Sequence, residues 1–229
     1  MNVALDAVSP VSTVSLARER VLPVADGLAS LLPEPGLVRG RIVACTGTAA
    51  TSVALSLVAR ATQHGSWLAA VGVPWLGIDA ARELGVAVER LVAVDADPAD
   101  VATWAERVAV AVDGIELVLG ALPSGTGGVE RTLTKLRRRV QARGAVLVVV
   151  THRSATEGGW ADLIVEGAGA VWEGLGDGHG HLRRRRLDVR VAGRRSPLPR
   201  TGEVWLPGAS GAVEAAPPPV LEPVGERAG

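Results

Sequence analysis

From residue 41 onward, short apolar runs alternate with longer segments in which apolar residues recur every three or four positions. The runs at 41–46, 67–73, 90–94, 116–121 and 145–151 predict strands; 50–64, 77–84, 98–112 and 128–143 predict helices. Glycines at Gly65, Gly85 and Gly144 follow three of these helices, where a left-handed residue commonly ends a helix, and Pro98 stands where a helix can open without losing a hydrogen bond. Strand 145–150 (AVLVVV) is apolar at every position, as expected of a strand buried on both faces of a parallel sheet. Strand–helix alternation then predicts a doubly wound α/β domain. Residues 21–39 read as a brief helical piece broken by Pro33 and Pro35, and residues 1–20 as an N-terminal segment in which a short helix starts near Ser15.

Past residue 160 the period changes to two. Segments 162–173, 182–192 and 203–206 predict strands with no helix between them. In 186–191 (RLDVRV), Leu187, Val189 and Val191 alternate with Arg186, Asp188 and Arg190, the signature of a half-buried antiparallel strand. The turn at 173–181 is EGLGDGHGH. Residues 209–229, rich in Ala, Pro, Gly and Glu, predict a disordered tail, leaving 21–208 as one core with a C-terminal antiparallel extension.

Composition sharpens this picture in two places. The chain has six Trp but no Phe or Tyr, so its core must be built from Val, Leu, Ala and Ile. Lys135 is the only lysine among 24 basic residues, and arginine suits phosphate and interface contacts better than lysine does. The net charge of zero gives no whole-chain field toward nucleic acid or membrane. A single cysteine, Cys45, excludes an internal disulfide framework and fits a reducing cytosol. The N-terminus does not read as a signal peptide, and no segment has the length and apolarity of a membrane span.

The turn after the first core strand is the natural place for phosphate chemistry. A P-loop needs a glycine, four residues, then Gly-Lys-Ser/Thr, so that backbone N–H groups and the lysine enclose the phosphates. Here the sequence from Gly47 is GTAATSV: Thr51 and Ser52 survive, but the second glycine and the lysine do not, and the loop is about three residues short of the pattern. The acidic residue that holds magnesium in such ATPases is also missing. The strand at 116–121 ends in Gly120 and Ala121, Glu116 lies at its wrong end, and 67–73 ends in Gly72, Val73 and Pro74. These absences predict a pseudo-ATPase with no catalytic residue and no cofactor.

His179 and His181 beside Asp177 lack the remaining ligands of a zinc site and read as a glycine-rich turn, so no metal is expected. His152, Ser154 and Thr156 lie in no nucleophile elbow. The strongest functional signal is arginine: Arg183, Arg184, Arg185, Arg186, Arg190, Arg194, Arg195 and Arg200 fall in one stretch, and Arg137, Arg138, Arg139 and Arg143 on a predicted helix. Such clusters either keep a surface solvated or contact DNA backbone or an acidic partner.

Residues 36–66 resemble the start of the RecA recombinase core, through G-R-I-V at 40–43, Gly47 and V-A-L-S-L-V-A at 53–59. Residues 77–95, with A-R-E-L-G-V at 81–86, are similar to the segment after its second strand. The phrases WEGLGDGHGHLR (172–183) and E-V-W-L-P-G (203–208) resemble the C-terminal pattern of the degenerate RecA-like ImuA-prime group of actinobacteria, within the ImuA/SulA-like family. The resemblance covers residues 21–192. It implies a RecA-like, mainly parallel sheet and an accessory role in SOS mutagenesis. The implied partners are an ImuB-like, Y-family polymerase-like subunit, a DnaE-class error-prone polymerase and DNA, with self-association a further expectation. It also implies a cytoplasmic, nucleoid-associated location. A recombination mediator with residual ATP binding, or a SulA-like division inhibitor, are the alternatives it leaves open. Only SATEGG (154–159) stands where a mobile DNA-binding loop would be.

Overall fold

The computed structural model describes residues 20–97, 99–123, 128–152, 159–176, 179–194 and 196–216. Its centre is a nine-stranded sheet built around β3 (Ile42–Gly47), with β4 (Leu68–Val71), β5 (Leu91–Val94), β6 (Leu117–Ala121), β7 (Val146–Val150), β8 (Leu163–Gly176), β9 (His179–Gly193), β10 (Ser196–Trp205) and β11 (Glu214–Ala215). The order across the sheet is β11-β10-β9-β8-β3-β7-β6-β4-β5. Pairing is parallel from β8 through β5 and antiparallel from β8 outward to β11. The fold is therefore mixed α/β, mostly parallel, with a C-terminal antiparallel extension.

Helices cover both faces. On one lie α1 (Asp26–Ala29), α2 (Ala50–Gln63) and α3 (Ile78–Glu83); on the other lie α4 (Val101–Gly114) and α5 (Val129–Arg143). The faces separate by strand parity. Val43, Cys45, Leu68, Leu117, Leu119, Val146 and Val148 pack with Val53, Leu57 and Val58 of α2. Ile42, Ala44, Val118, Leu147 and Val149 pack with Trp104 and Val108 of α4 and Leu133 and Val140 of α5. Strands buried on both faces explain the unbroken apolar runs.

The ends of the elements follow local chemistry. Asp100 caps α4, accepting from the Ala102 and Thr103 N–H groups at 2.9 and 3.1 Å; the Thr103 hydroxyl, which also donates to it, and these backbone bonds hold its carboxyl below the usual range. The helix thus begins three residues later than the proline signal at 98 predicts, because Asp100 offers an acceptor; Pro98 itself lies outside the described residues. Gly144 closes α5 at φ 64°.

Three expectations are corrected. Residues 21–39 form a small antiparallel pair, β1 (Val21–Pro23) with β2 (Gly36–Val38), linked through the one-turn α1. Pro33 and Pro35 prevent the helix from continuing, and the returning segment packs Gly36 so tightly that a Cβ there would stand 2.3 Å from the Leu22 carbonyl oxygen. The strand expected at 203–206 begins at Ser196; the register shift between Ser196 and Arg200 contains Pro197 and Pro199, which mask it in the sequence. Residues 209–216 are not a tail: Val213 is buried, Glu214 and Ala215 pair with β10, and Gly211 and Gly27 pack where any side chain would meet Glu83 or Glu214 backbone. Residues 217–229, residues 1–19 and the helix start near Ser15 lie outside the described residues.

One buried carboxylate joins β3, β8 and α5. Asp162, 3% exposed, accepts from the Ile42 N–H at 3.1 Å and from Arg137 of α5, while its own N–H donates to the Ile42 carbonyl at 2.8 Å. Asp162→Ala removes both acceptors and leaves Arg137 facing a buried gap. It is expected to destabilise the fold by roughly 3–5 kcal/mol, read by urea denaturation at neutral pH, with Asp162→Asn losing less because its amide oxygen still accepts from Ile42. A loss below about 1 kcal/mol for the alanine variant, the range of exposed ion pairs, would show that the joint is not structural.

Candidate functional site

In open α/β sheets, ligands settle outside the carboxyl ends of the strands, near the strand from which connections diverge. That strand is β3, flanked by β7 and β8. Only Thr48 and Ala49 separate its last residue, Gly47, from the start of α2. Ala49 takes a left-handed conformation, φ 59°, which for a residue with a side chain costs about 1–2 kcal/mol. The strain buys an abrupt turn.

The turn is closed by β8. Gly47 pairs with Gly167, and the Thr48 N–H donates to the Gly167 carbonyl at 2.7 Å. A Cβ on Gly47 would lie 2.2 Å from the Gly167 oxygen, and one on Gly167 would lie 2.0 Å from the Thr48 oxygen. Two glycines are thus pressed back to back, and the first N–H of the turn faces a neighbouring strand. Of the residues expected to carry phosphate chemistry, Thr51 accepts at its hydroxyl from the exposed Trp75 indole N–H at 3.3 Å, and the Ser52 carbonyl takes the Ser56 hydroxyl at 2.9 Å. No side chain caps the N-terminus of α2.

The missing acidic position also has a structural account. Trp104 of α4 is 1% exposed and lies across the ends of β4 and β6. A Cβ on Gly120 would approach its Cζ2 to 3.0 Å, and one on Gly72 its Cδ1 to 3.1 Å. One indole fills the space that two side chains at strand ends would otherwise occupy. Among the described residues its Nε1 has no hydrogen-bond partner. Glu116, at the opposite end of β6, pairs with Arg39; burial pushes its carboxyl up, but hydrogen bonds from Ser66 and Arg39 leave it below the usual range. Burial raises the Cys45 thiol far above its ordinary value, so it is a core residue.

The arginine stretch lies on β9, and the sheet divides it by parity. Leu187, Val189 and Val191 face the α2 side and are buried. Arg184, Arg186 and Arg190 face the other way and meet carboxylates across the ladder: Glu173 at 2.8 Å, Glu203 at 3.8 Å and Glu166 at 3.8 Å. Arg184 also stacks 4.0 Å from the centre of the Trp205 ring. Arg185 shares the phase of the buried residues, and Arg183 lies in the stretch where β9 shifts register against β8. Arg185 sits 5.0 Å over the ring of Trp172, its cross-strand partner, and donates through Nε to the Leu206 carbonyl at 2.9 Å. Partial burial lowers its guanidinium below the usual value. Arg194 donates to the Gly159 carbonyl at 3.1 Å and Arg200 to the Leu32 carbonyl at 2.6 Å. Arg195 lies outside the described residues.

The second basic group, on α5, is largely a clamp. Arg137 holds Asp162; Arg139 and Arg143 both hold Asp113 of α4. His152 is exposed just past β7, whereas Ser154, Thr156, Asp177 and the side chain of His179 lie outside the described residues. Among the described residues no three metal-binding side chains cluster, and no helix is long and apolar enough to cross a membrane.

Residues 30–157 match the family model described as the MT3502 N-terminal domain, more than half of the chain. The chain belongs to that family. A Mycobacterium tuberculosis protein named "Uncharacterized protein Rv3395c" is 35% identical over 117 residues, 48% of this chain and 50% of that protein. The match thus spans about half the length of that relative. In structural terms the MT3502 N-terminal match runs from just after α1 through β7, taking in Gly47–Ala49 and Trp104 but not Gly167. The arginine-bearing strands β8 to β10 follow it.

Sequence reasoning missed the tryptophans. Trp104, Trp172 and Trp75 organise the strand ends, the arm and the turn, and the available signal was their presence in a chain with no other aromatic residue.

Two outcomes follow. Gly120→Asp, which restores a carboxylate to the strand end, is expected to destabilise the fold by about 1–3 kcal/mol through overpacking against Trp104 and to produce no ATP hydrolysis; denaturation curves and a phosphate-release assay read both. Asp113 is held at about 2, chiefly by the Arg139 hydrogen bond. A depressed carboxyl contributes stability above its unfolded value, about 3.9, which is lost as pH falls toward 2. Asp113→Asn should therefore flatten the acid limb of a circular-dichroism titration between about pH 4 and 2.

Proposed function

We propose that this chain is a non-catalytic, RecA-like accessory protein of a damage-induced, error-prone translesion-synthesis assembly, working by docking and not by turnover. The observation that carries the pseudo-ATPase part is the closed turn. Where a nucleotide-binding protein of this topology would present N–H groups to phosphate, the Thr48 N–H is bonded to Gly167 and strand β8 fills the adjacent space. No lysine is near, and Trp104 fills the site beside Gly120. The parallel core with an antiparallel extension supports the RecA-like reading of the fold, and the sequence resemblance to the ImuA-prime group supports the assembly.

In this reading the partners are the ImuB-like polymerase subunit and, directly or through it, the DnaE-class polymerase. The surface offered to them is the β8–β10 extension. DNA contact is secondary, because three arginines of the stretch are already matched by carboxylates. The location is cytoplasmic, moving to the nucleoid when DNA is damaged.

A residual nucleotide binder is the competing reading, and the uncapped N-terminus of α2 is the observation in its favour, since free N–H groups there attract anions. Equilibrium dialysis with ATP decides between them: the accessory reading expects no binding at high micromolar ATP, and saturable binding would overturn the pseudo-ATPase assignment. The assembly is tested by co-expression with the polymerase-like subunit and size-exclusion chromatography in moderate salt. Co-elution is the expected result; clean separation of two folded proteins would remove the assembly from the reading.

A further inference from the structure

The outer part of the β8–β9 arm presents two faces of different character. On the face of Arg184, Arg186 and Arg190, each guanidinium already has a carboxylate opposite it. The other face carries Trp172 and its cross-strand partner Arg185; Arg183 and His181 follow in the irregular stretch where β9 shifts register against β8. Trp172 is 43% exposed and held against the Arg185 guanidinium. Arg183 and His181 are exposed and have no carboxylate partner among the described residues. A cavity of about 620 Å³ opens at the end of the arm toward Ala209; Arg183 and His181 line it together with the Glu173–Arg184 pair of the opposite face.

We infer that this face of the arm is a docking surface for an acidic, apolar-containing segment of a partner protein, with Arg183 and Arg185 receiving its carboxylates and Trp172 its apolar contact. The inference rests on the reading above that the chain works by docking. Charge complementarity names the occupant: the positive groups of this face are unmatched, whereas those of the opposite face are neutralised within the sheet. The composition also favours protein over nucleic acid. Trp and Arg are among the residues that most often dominate protein interfaces, and exposed Leu182 adjoins Arg183 on the same strand. A phosphate track would need a longer run of unmatched cations than these. Arg185 is already ordered by its bond to Leu206 and its contact with Trp172, so little side-chain freedom is lost on binding.

The test uses the whole chain and two fluorescent probes read by anisotropy: a labelled peptide of alternating Glu and Leu, and a labelled oligothymidylate. The peptide is expected to bind. Arg183→Glu with Arg185→Glu, and separately Trp172→Ala, should each weaken it by about tenfold or more. Arg186→Gln and Arg190→Gln, on the neutralised face, should leave it within about twofold. Arg183→Glu alone, at an exposed position without a described partner, keeps the test decisive if the double variant fails to fold. The inference is overturned if the peptide does not bind, if the two faces respond alike, or if oligothymidylate binds and is lost with the same variants. Peptide binding with the expected pattern, without co-elution of the polymerase-like subunit, would remove only that partner. Co-elution indifferent to the arm variants would remove only the arm.

Discussion

The structure depends on how closely β8 lies against β3. The contact is fixed at both ends. At the entry to β3, Asp162 ties the two strands by reciprocal bonds with Ile42 and reaches α5 through Arg137. At the exit, Gly47 and Gly167 meet with no room for a Cβ on either. Backbone groups buried here must be paired, and β8 supplies the partner that a bound phosphate would supply in a nucleotide-binding turn. Closing the turn and launching the arm are therefore one event: the strand that seals the end of β3 continues, past its bulges, as the outer arm.

That coupling separates the chain into a core that resists change and an extension that meets solvent. The core uses tight packing around small residues, with Trp104 lying against Gly72 and Gly120. The extension uses pairs of opposite charge across the ladder, each worth little in water but together cancelling what would otherwise be a strongly basic face. Neutralisation on one side makes the cations on the other side distinct, which the sequence, showing arginines at consecutive positions, conceals.

Most element positions were legible because they rest on local signals. Strands β3, β4, β6 and β7 are apolar runs buried on two faces, β5 is an apolar run at the sheet edge, and the limits of all five agree within a residue or two with those expected; helix ends at Gly65, Gly85 and Gly144 follow from left-handed glycines. What failed to show was anything set by partners distant in sequence. The β1–β2 pair is invisible without knowing that Val21 faces Val38 across a proline-broken return. The ordering of Val213 and Glu214 depends on glycine contacts with α1 and α3. The site was half legible: that no lysine follows Gly47 and that β6 ends without a carboxylate can be read directly, but that β8 and Trp104 press against these strand ends cannot, because a glycine in a sequence says nothing about what packs against it.

The tryptophans give the last step. In a chain without Phe or Tyr, a large aromatic surface left in solvent is the exception to be explained. Trp67, Trp75 and Trp172 are each about half exposed, and each has a polar neighbour fixing it: Arg90 at 6.0 Å from the Trp67 ring, the Thr51 hydroxyl on the Trp75 indole, and Arg185 over Trp172. An exposed indole held this way keeps its apolar face available while losing little further freedom on contact. Trp67 and Trp172 each stand beside an arginine that meets no carboxylate among the described residues, and Trp172 does so on an arm extending from a turn closed by its own strand. The same strand that closes the turn after Gly47 thus carries the exposed, ordered indole on which the docking proposal rests.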